Sequence, residues 1–167
     1  MDYIRICAID AGTRNFAYCV IDNNNWREPL VWQKEDLWPA VRGRKLRPTT
    51  QDMITLTSAW VERNRDMLQA CDMIVLEKQM RTPFIVQNTV IQTLMMSKAV
   101  EVHPVSVGAW WKLPRKREAK KAAGVVAVQR SAVIPANMGK PDDLADAWLM
   151  AVYMLAKENA VNVKQLF

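Results

Sequence analysis

The sequence predicts a single α/β domain over residues 1–167. Its core is a mixed five-stranded sheet, three antiparallel strands followed by two parallel strands, flanked by helices. The chain is 50% hydrophobic and 24% charged over 167 residues, which suits one compact core and is too short for two domains. Three strand-like segments joined by short turns open the chain, as in an antiparallel meander. Two further apolar segments alternate with helical patterns, which favours parallel strands joined by crossovers.

Alternation of apolar side chains defines the predicted strands. In the first strand, Ile6 and Ala8 fall on one face while Cys7 and Ile9 fall on the other, so we expect a central strand. Residues 73–76 form an uninterrupted apolar run, which predicts another strand buried on both faces. The five predicted strands cover residues 3–10, 16–22, 30–33, 73–76 and 100–105.

Helices are predicted where apolar residues recur at helical spacing. Thr50 is a suitable cap for the first helix, in which Met53 and Trp60 belong to an apolar stripe. Leu144 and Trp148 belong to the equivalent stripe of the closing helix. The predicted helices cover residues 51–71, 84–98, 106–113 (a short helix or turn), 115–130 (partly helical) and 142–158, with loops at 35–50 and 137–141.

Positive charge is concentrated in two clusters. The chain carries 23 Lys and Arg against 17 Asp and Glu, a net charge of +6. Residues 108–130 contain seven basic residues and one acidic residue, so this segment carries the whole excess. The second cluster lies in a loop flanked by proline and consists of Arg42, Arg44, Lys45 and Arg47. Such clusters indicate a surface for a polyanion, most simply nucleic acid, although a solvated helix face has a similar composition.

Four acidic residues stand where a folded protein seldom places charge. Asp10 and Glu77 end two predicted strands, and sites in open α/β sheets form at the carboxyl ends of strands. Asp143 and Asp146 are three residues apart at the start of the last helix, so they share a face. Grouped carboxylates repel one another unless a cation offsets their charge, and oxygen ligands suit Mg²⁺ or Mn²⁺. The four acids therefore predict a site for two Mg²⁺ ions, replaceable by Mn²⁺, that could activate water against a phosphodiester.

Each acid also has an ordinary explanation when it is taken singly. An Asp at the end of a strand is usually a turn residue, and Asp143 or Asp146 could cap the helix. Asp142 is expected to serve the helix start rather than the site. The order of all four acids along the chain favours the metal site over these separate roles.

Three segments carry a resemblance to a known family. The segments AIDAGTRNFAY, MIVLEKQ and DLADAW resemble those of RuvC-type Holliday junction resolvases, closest to the poxvirus and fungal mitochondrial branch, over nearly the whole chain. The resemblance implies an RNase H-like fold, a homodimer, and Mg²⁺-dependent paired nicking of branched DNA at four-way junctions. It also implies that Asp10, Glu77, Asp143 and Asp146 are the metal ligands, with Asp10 shared between two ions.

The resemblance further implies a catalytic lysine before the last helix. Lys116, Lys120 and Lys121 could each fill that role; Lys120 and Lys121 are taken as the catalytic candidates. The loop after Glu77 contacts the junction centre in relatives, and here it reads KQMRTPF. The predicted nucleic-acid contacts are Arg81, Phe84, Lys112, Arg115, Lys116, Arg117, Lys120 and Lys121.

Other functions of the same residues stay open at this point. A RuvC-like nuclease acting on RNA or flaps would use the same acids, and a non-catalytic nucleic-acid-binding module could keep the same fold. Ribonuclease H proper carries its second acid on a helix, whereas Glu77 ends a strand-like run. Sugar kinases and Hsp70-like ATPases need two domains and a second glycine-rich loop, which this sequence lacks.

The remaining features predict ordinary structural roles. The three cysteines, Cys7, Cys19 and Cys71, lie in apolar stretches, which suits reduced thiols in an intracellular compartment such as the cytoplasm or a viral replication site. No secretory signal, membrane span or small-molecule cofactor motif is evident. His103 and the pair Trp110 and Trp111 are expected to pack rather than to react or stack on bases. The helix over 84–98 is a candidate dimer face, although ordinary core packing explains it as well.

Overall fold

The computed structural model describes residues 2–38, 48–133 and 142–158. They form one five-stranded sheet in the order β3-β2-β1-β4-β5. The strands are β1 (Arg5–Asp10), β2 (Phe16–Asp22), β3 (Val31–Glu35), β4 (Met73–Glu77) and β5 (Ala99–Val102). The helices are α1 (Thr50–Arg63), α2 (Arg65–Gln69), α3 (Thr82–Leu94), α4 (Pro104–Trp110), α5 (Arg117–Ser131) and α6 (Asp142–Lys157). The predicted mixed sheet is confirmed, with β1 to β3 antiparallel and β1, β4 and β5 parallel.

The register of β1 against β4 positions two of the predicted site residues. Ile9 lies opposite Leu76 in this parallel pair, so Asp10 and Glu77 are the next residues on adjacent strands. Both carboxylates therefore leave the same edge of the sheet, as expected for the carboxyl ends of neighbouring parallel strands.

Helices cover both faces of the sheet. Ile6, Ala8 and Val75 pack against α6 on one face, together with side chains of α4 and α5. Cys7 and Ile9 face the opposite layer, which includes Trp60 of α1 and Ile91 of α3. Side chains alternate along a strand, so Asp10 follows Ile6 and Ala8 onto the α6 face. Glu77 follows Val75 onto the same face by the same alternation.

The long helix predicted over 51–71 is divided in the structure. It begins one residue earlier than expected, because Thr49 rather than Thr50 is the cap, and Thr49 and Asp52 form a reciprocal capping box. The helix ends at Asn64, whose side-chain amide donates to the carbonyl of Trp60 at 2.9 Å. This local bond competes with the helical pattern, so the chain restarts as the short helix α2.

Proline residues move two other boundaries. The strand predicted over 100–105 ends at Val102, because Pro104 cannot donate to a sheet and instead starts α4. His103 therefore is not in a strand: it caps α4, its Nδ1 accepting from the amide of Val105 at 3.2 Å. Helix α3 begins at Thr82, before the predicted residue 84, with Pro83 in its first turn, and it ends at Leu94 rather than 98. The basic cluster at 42–47 and the predicted loop at 137–141 lie outside the described residues.

Candidate active site

One cleft of about 330 Å³ lies at the carboxyl edge of the sheet. All four predicted acids line it: Asp10 from β1, Glu77 from β4, and Asp143 and Asp146 from the first turns of α6. Arg117, Lys120 and Lys121 of α5 line it as well. The cleft is thus lined by four acidic and three basic side chains, and its volume is sufficient for one small ligand or one phosphate group.

The turn after β1 holds the floor of the cleft in a tight conformation. Gly12 lies two residues after Asp10, and a β-carbon placed on it would stand 2.6 Å from the carbonyl oxygen of Asn15. A side chain at this position would force the backbone to move, so glycine is needed for the close approach. Gly12 and Asn15 themselves line the cleft.

The four acids are close enough to affect one another's protonation. Burial, and then the charges of Glu77, Asp146 and Asp143, raise the pKa of Asp10 well above its ordinary value. Burial, followed by the charge of Glu77, raises the pKa of Asp146 to about 6. Burial also raises the pKa of Glu77, and Lys120 opposes this rise. The carboxylates therefore resist carrying full charge together, which is the condition a divalent cation relieves.

Lysines already partner two acids at the start of α6. The Nζ of Lys121 lies 3.1 Å from Asp142 Oδ2 and 3.6 Å from Asp143 Oδ1. The Nζ of Lys34 on β3 lies 3.4 Å from Asp143 Oδ2. Burial opposes the effect, but the hydrogen bond to Asp142 and the nearby carboxylates raise the pKa of Lys121, which stays charged. Asp143 is thus held between two ammonium groups.

The acids do not form a closed ligand group as their side chains stand. Within residues 2–38, 48–133 and 142–158, no three His, Cys, Asp or Glu side chains are arranged tightly enough to hold a metal ion. The oxygens of Asp143 are paired with the ammonium groups of Lys34 and Lys121. The donor set itself, four carboxylates lining one cleft, fits a hard divalent cation.

The three lysines that are candidates for the catalytic role differ in their position relative to the cleft. Lys120 lines the cleft, its charge lowers the pKa of both Glu77 and Asp146, and its Cε packs 3.4 Å from where a β-carbon of Gly108 would lie. Lys121 lines the cleft but is bonded to Asp142. Lys116 caps α5 at an exposed position, outside the residues that line the cleft.

Lys34 is a site residue that the sequence reasoning missed. It lies on β3 between Gln33 and Glu35, in a polar stretch at the edge of the sheet, where a lysine is unremarkable. Its approach to Asp143 joins residues 109 positions apart in the sequence, so no local spacing signals it.

The sequence of this chain matches that of one protein family. A model of the Poxvirus A22 protein family matches residues 4–158, which is most of the chain. The chain belongs to the Poxvirus A22 protein family. The resemblance drawn from the three sequence segments is therefore confirmed. No curated protein sequence matches the chain significantly.

Solved structures share the fold of this A22 family protein. The fowlpox virus resolvase, in complex with substrate Holliday junction DNA, matches with a TM-score of 0.67 and 16% identity, covering 93% of this chain and 99% of that chain. The yeast mitochondrial Holliday junction resolvase Ydc2 matches with a TM-score of 0.64 and 16% identity, covering 94% of this chain and 80% of that one. RuvC of T. thermophilus, in complex with a Holliday junction substrate, matches with a TM-score of 0.53 and 12% identity, covering 94% and 98%. The predicted RNase H-like fold is confirmed.

The predicted nucleic-acid contacts fall around the cleft of the A22 family protein. Phe84, at the start of α3, lines the cleft, and Arg81 caps the same helix at an exposed position. Between Glu77 and Arg81, Met80 is 82% exposed, a further apolar side chain that the sequence analysis did not single out. Arg117, Lys120 and Lys121 line the cleft, whereas Lys112, Arg115 and Lys116 are exposed on the segment that leads into α5.

The other predicted structural roles can be compared with the structure. Trp111 is buried and donates to the carbonyl of Leu149 at 3.0 Å, and Trp110 packs edge-on against it, as expected for helix packing. Cys7, Cys19 and Cys71 are all buried free thiols. Among the described helices, none is long and apolar enough to cross a membrane.

Without divalent cations, the free energy of unfolding should fall as the pH rises from about 4 to 7. Asp146 has a pKa of about 6 in the folded protein against an ordinary 3.8, so folding favours its protonated form. The stability this contributes is complete below the ordinary value and is lost as the pH rises through the folded pKa, a loss of about 3 kcal/mol. Urea unfolding between pH 4 and 7 measures it. Asp146→Asn should make the fall shallower without abolishing it, because the raised pKa values of Asp10 and Glu77 act in the same direction; an equally steep fall in the variant would contradict the assignment.

Proposed function

We propose that this protein is a metal-dependent, structure-selective endonuclease that resolves four-way DNA junctions by paired, symmetric nicks. The observation that carries the proposal is the single cleft lined by Asp10, Glu77, Asp143 and Asp146, with basic side chains of α5 along it. Membership of the Poxvirus A22 protein family and the shared fold with junction resolvases support the same substrate. We treat residues 1–167 as one nuclease domain.

The carboxylates of the cleft would hold two divalent cations, Mg²⁺ with Mn²⁺ as a substitute. Such a cation, once bound, lowers the pKa of water and offsets charge on a phosphodiester. Asp10 and Glu77 would supply oxygens from adjacent strands, and Asp146 would supply them from α6. Asp143, which is paired with Lys34 and Lys121, would be the fourth donor.

The chain's own basic residues handle the phosphate. Lys120 faces the same cleft as Glu77 and Asp146, so its ammonium can donate to a phosphate oxygen there and stabilise the charge that develops during cleavage. Arg117 borders the cleft one helical turn earlier on α5. Lys112, Arg115 and Lys116 extend this positive strip beyond the cleft and would contact the DNA backbone outside the scissile position.

The substrate is tested by a cleavage panel with the purified protein. A four-way junction, a flap, a plain duplex and an RNA–DNA hybrid are incubated separately with Mg²⁺ and then with Mn²⁺. We expect the junction to be cut at least about tenfold faster than the others, because only it offers two related strands to two active sites. Preferential cleavage of the flap or the hybrid would show that the four-way junction is not the preferred substrate. Absence of cleavage with every substrate would favour a non-catalytic nucleic-acid-binding module.

The proposed enzyme acts as a homodimer, since two matched nicks across a junction need two matched sites. An apolar groove of about 390 Å³ between α1 and α3 is a suitable interface. Ile54, Ile85 and Leu94 line it and are more than a third exposed, while Ile91 of the same helix is buried in the core. One side of α3 thus packs in the core, while apolar side chains on the side that lines the groove are exposed. Such an exposed apolar surface is typical of an interface.

The dimer is tested by placing a charge in this groove. Ile85→Glu should weaken self-association by more than about 100-fold, because it buries an unpaired carboxylate at the interface. Sedimentation should give about twice the chain mass of 19.1 kDa for the unmodified protein and the single mass for the variant. Val105→Glu is the control, since Val105 is 69% exposed on α4, away from the groove. Equal masses for both variants would place the interface elsewhere.

A further inference from the structure

Two neighbouring amide side chains lie buried on the inner side of α3. Gln87 is 1% exposed and Asn88 is 2% exposed, in a protein layer that is otherwise largely apolar. The Nε2 of Gln87 donates to the carbonyl oxygen of Gly12 at 3.2 Å. The Nδ2 of Asn88 donates to the carbonyl oxygen of Glu77 at 2.8 Å and to Glu101 Oε1 at 3.2 Å.

Both amides reach the backbone that carries the site carboxylates. Asn88 holds the main chain of Glu77 itself, where β4 ends. Gln87 holds Gly12, two residues after Asp10, in the turn that leaves no room for a side chain. Helix α3 is therefore hydrogen-bonded to the chain at the ends of β1 and β4, the two adjacent strands that present Asp10 and Glu77 to the cleft.

Stability alone does not explain these amides. Among the described residues, the Oε1 of Gln87 and the Oδ1 of Asn88 are buried without a hydrogen-bond partner. Leaving one such atom unpaired costs about 1–3 kcal/mol, which offsets much of the stabilisation from the hydrogen bonds that each amide donates. Polar groups kept at such a cost are frequent where a site must be held in a defined geometry.

We propose that Gln87 and Asn88 are positioning residues that fix the spacing of the Asp10 and Glu77 carboxylates and thereby set the affinity of the cleft for divalent cations. This inference rests on the proposed function, because it concerns the same cation site. Neither amide lines the cleft, so each acts through the backbone it holds. Outer groups that orient metal ligands typically change metal affinity by about 10–100-fold when they are lost.

The test uses Gln87→Met and Asn88→Leu, which keep the approximate volume and remove the donors. Binding of Mn²⁺ to the 167-residue protein is measured by electron paramagnetic resonance, without DNA and without turnover. We expect each variant to bind Mn²⁺ about 10–100-fold more weakly than the unmodified protein, and to need correspondingly more Mg²⁺ for half-maximal junction cleavage. The unfolding temperature should change little, because the loss of an unpaired buried oxygen opposes the loss of the hydrogen bonds that each amide donates.

Thr57→Val is the matched control. Thr57 is fully buried on α1, and its Oγ1 also lacks a partner among the described residues, but no bond joins it to the ends of β1 or β4. This variant removes a buried oxygen that has no partner, so it should keep or raise the unfolding temperature and keep the Mn²⁺ affinity of the unmodified protein.

The possible results are distinguishable. Unchanged Mn²⁺ affinity in Gln87→Met and Asn88→Leu would overturn the inference and leave the nuclease proposal standing. A fall in unfolding temperature in both variants, without a loss of Mn²⁺ affinity at a temperature where they are folded, would show that the amides serve stability alone. Failure of the unmodified protein to bind Mn²⁺ or to cut any substrate would instead count against the proposed function.

Discussion

Asp10→Asn should abolish Mg²⁺-dependent cleavage of a four-way junction while leaving junction binding within about threefold. Burial, and then the charges of all three other acids, raise the pKa of Asp10, so a cation bound among the four would offset a repulsion that Asp10 shares with each of them. A cation contributes several kcal/mol to the reaction, so the rate should fall by at least about 1000-fold. Single-turnover cleavage of a labelled junction measures the rate, and a mobility shift in Ca²⁺ measures the binding.

Asp66→Asn is the control for charge removal. Asp66 is exposed in the first turn of α2, outside the residues that line the cleft, so this variant should cut at the normal rate. Glu77→Gln should match the loss in Asp10→Asn, since both acids face the same cleft from adjacent strands. If Asp10→Asn kept a tenth of the normal rate, the cleft would not be the active site.

Lys120→Met should lower the rate of cleavage at saturating DNA by about 100- to 1000-fold. Its ammonium faces Glu77 and Asp146 in the cleft, and loss of one donor that stabilises developing charge usually has an effect of this size. Methionine keeps the length of the stem, which packs over Gly108, so the fold should not suffer. Rapid-quench measurements with excess enzyme separate this rate from DNA affinity.

Lys116→Met provides the comparison within the same segment. Lys116 is exposed and does not line the cleft, so its loss should leave the saturated rate unchanged and reduce the slope of log affinity against log salt by about 1. The opposite pattern, a slow Lys116 variant and a normal Lys120 variant, would move the catalytic lysine to the start of α5.

Much of the fold can be predicted from local patterns. The alternation of Ile6 and Ala8 with Cys7 and Ile9 identifies a central strand, and the same alternation assigns Asp10 to the face on which α6 packs. The spacing of Asp143 and Asp146 places both on one side of α6. Each of these patterns depends only on neighbouring residues. The convergence of the four acids at one edge of the sheet can therefore be predicted from the sequence.

Other parts of the site depend on contacts between distant residues. Lys34 contacts Asp143 from an edge strand, and the amide of Gln87 on α3 contacts Gly12, which is 75 residues away in the sequence; no local pattern marks either contact. The choice among the lysines required the direction of α5 relative to α6, which sequence spacing does not supply. The break at Asn64 reflects one side-chain bond to the backbone that competes with an otherwise regular helical stripe.

The crowding at Gly12 has a use in tracing distant ancestry. Because a β-carbon there would stand 2.6 Å from the Asn15 carbonyl, physical exclusion restricts this position whatever the surrounding residues become. The sequence of this chain is 16% identical to those of the fowlpox virus and yeast resolvases, so few shared residues are available to guide an alignment. A lone glycine two places beyond a strand-ending aspartate would then anchor such an alignment more securely than any of the interchangeable apolar residues around it.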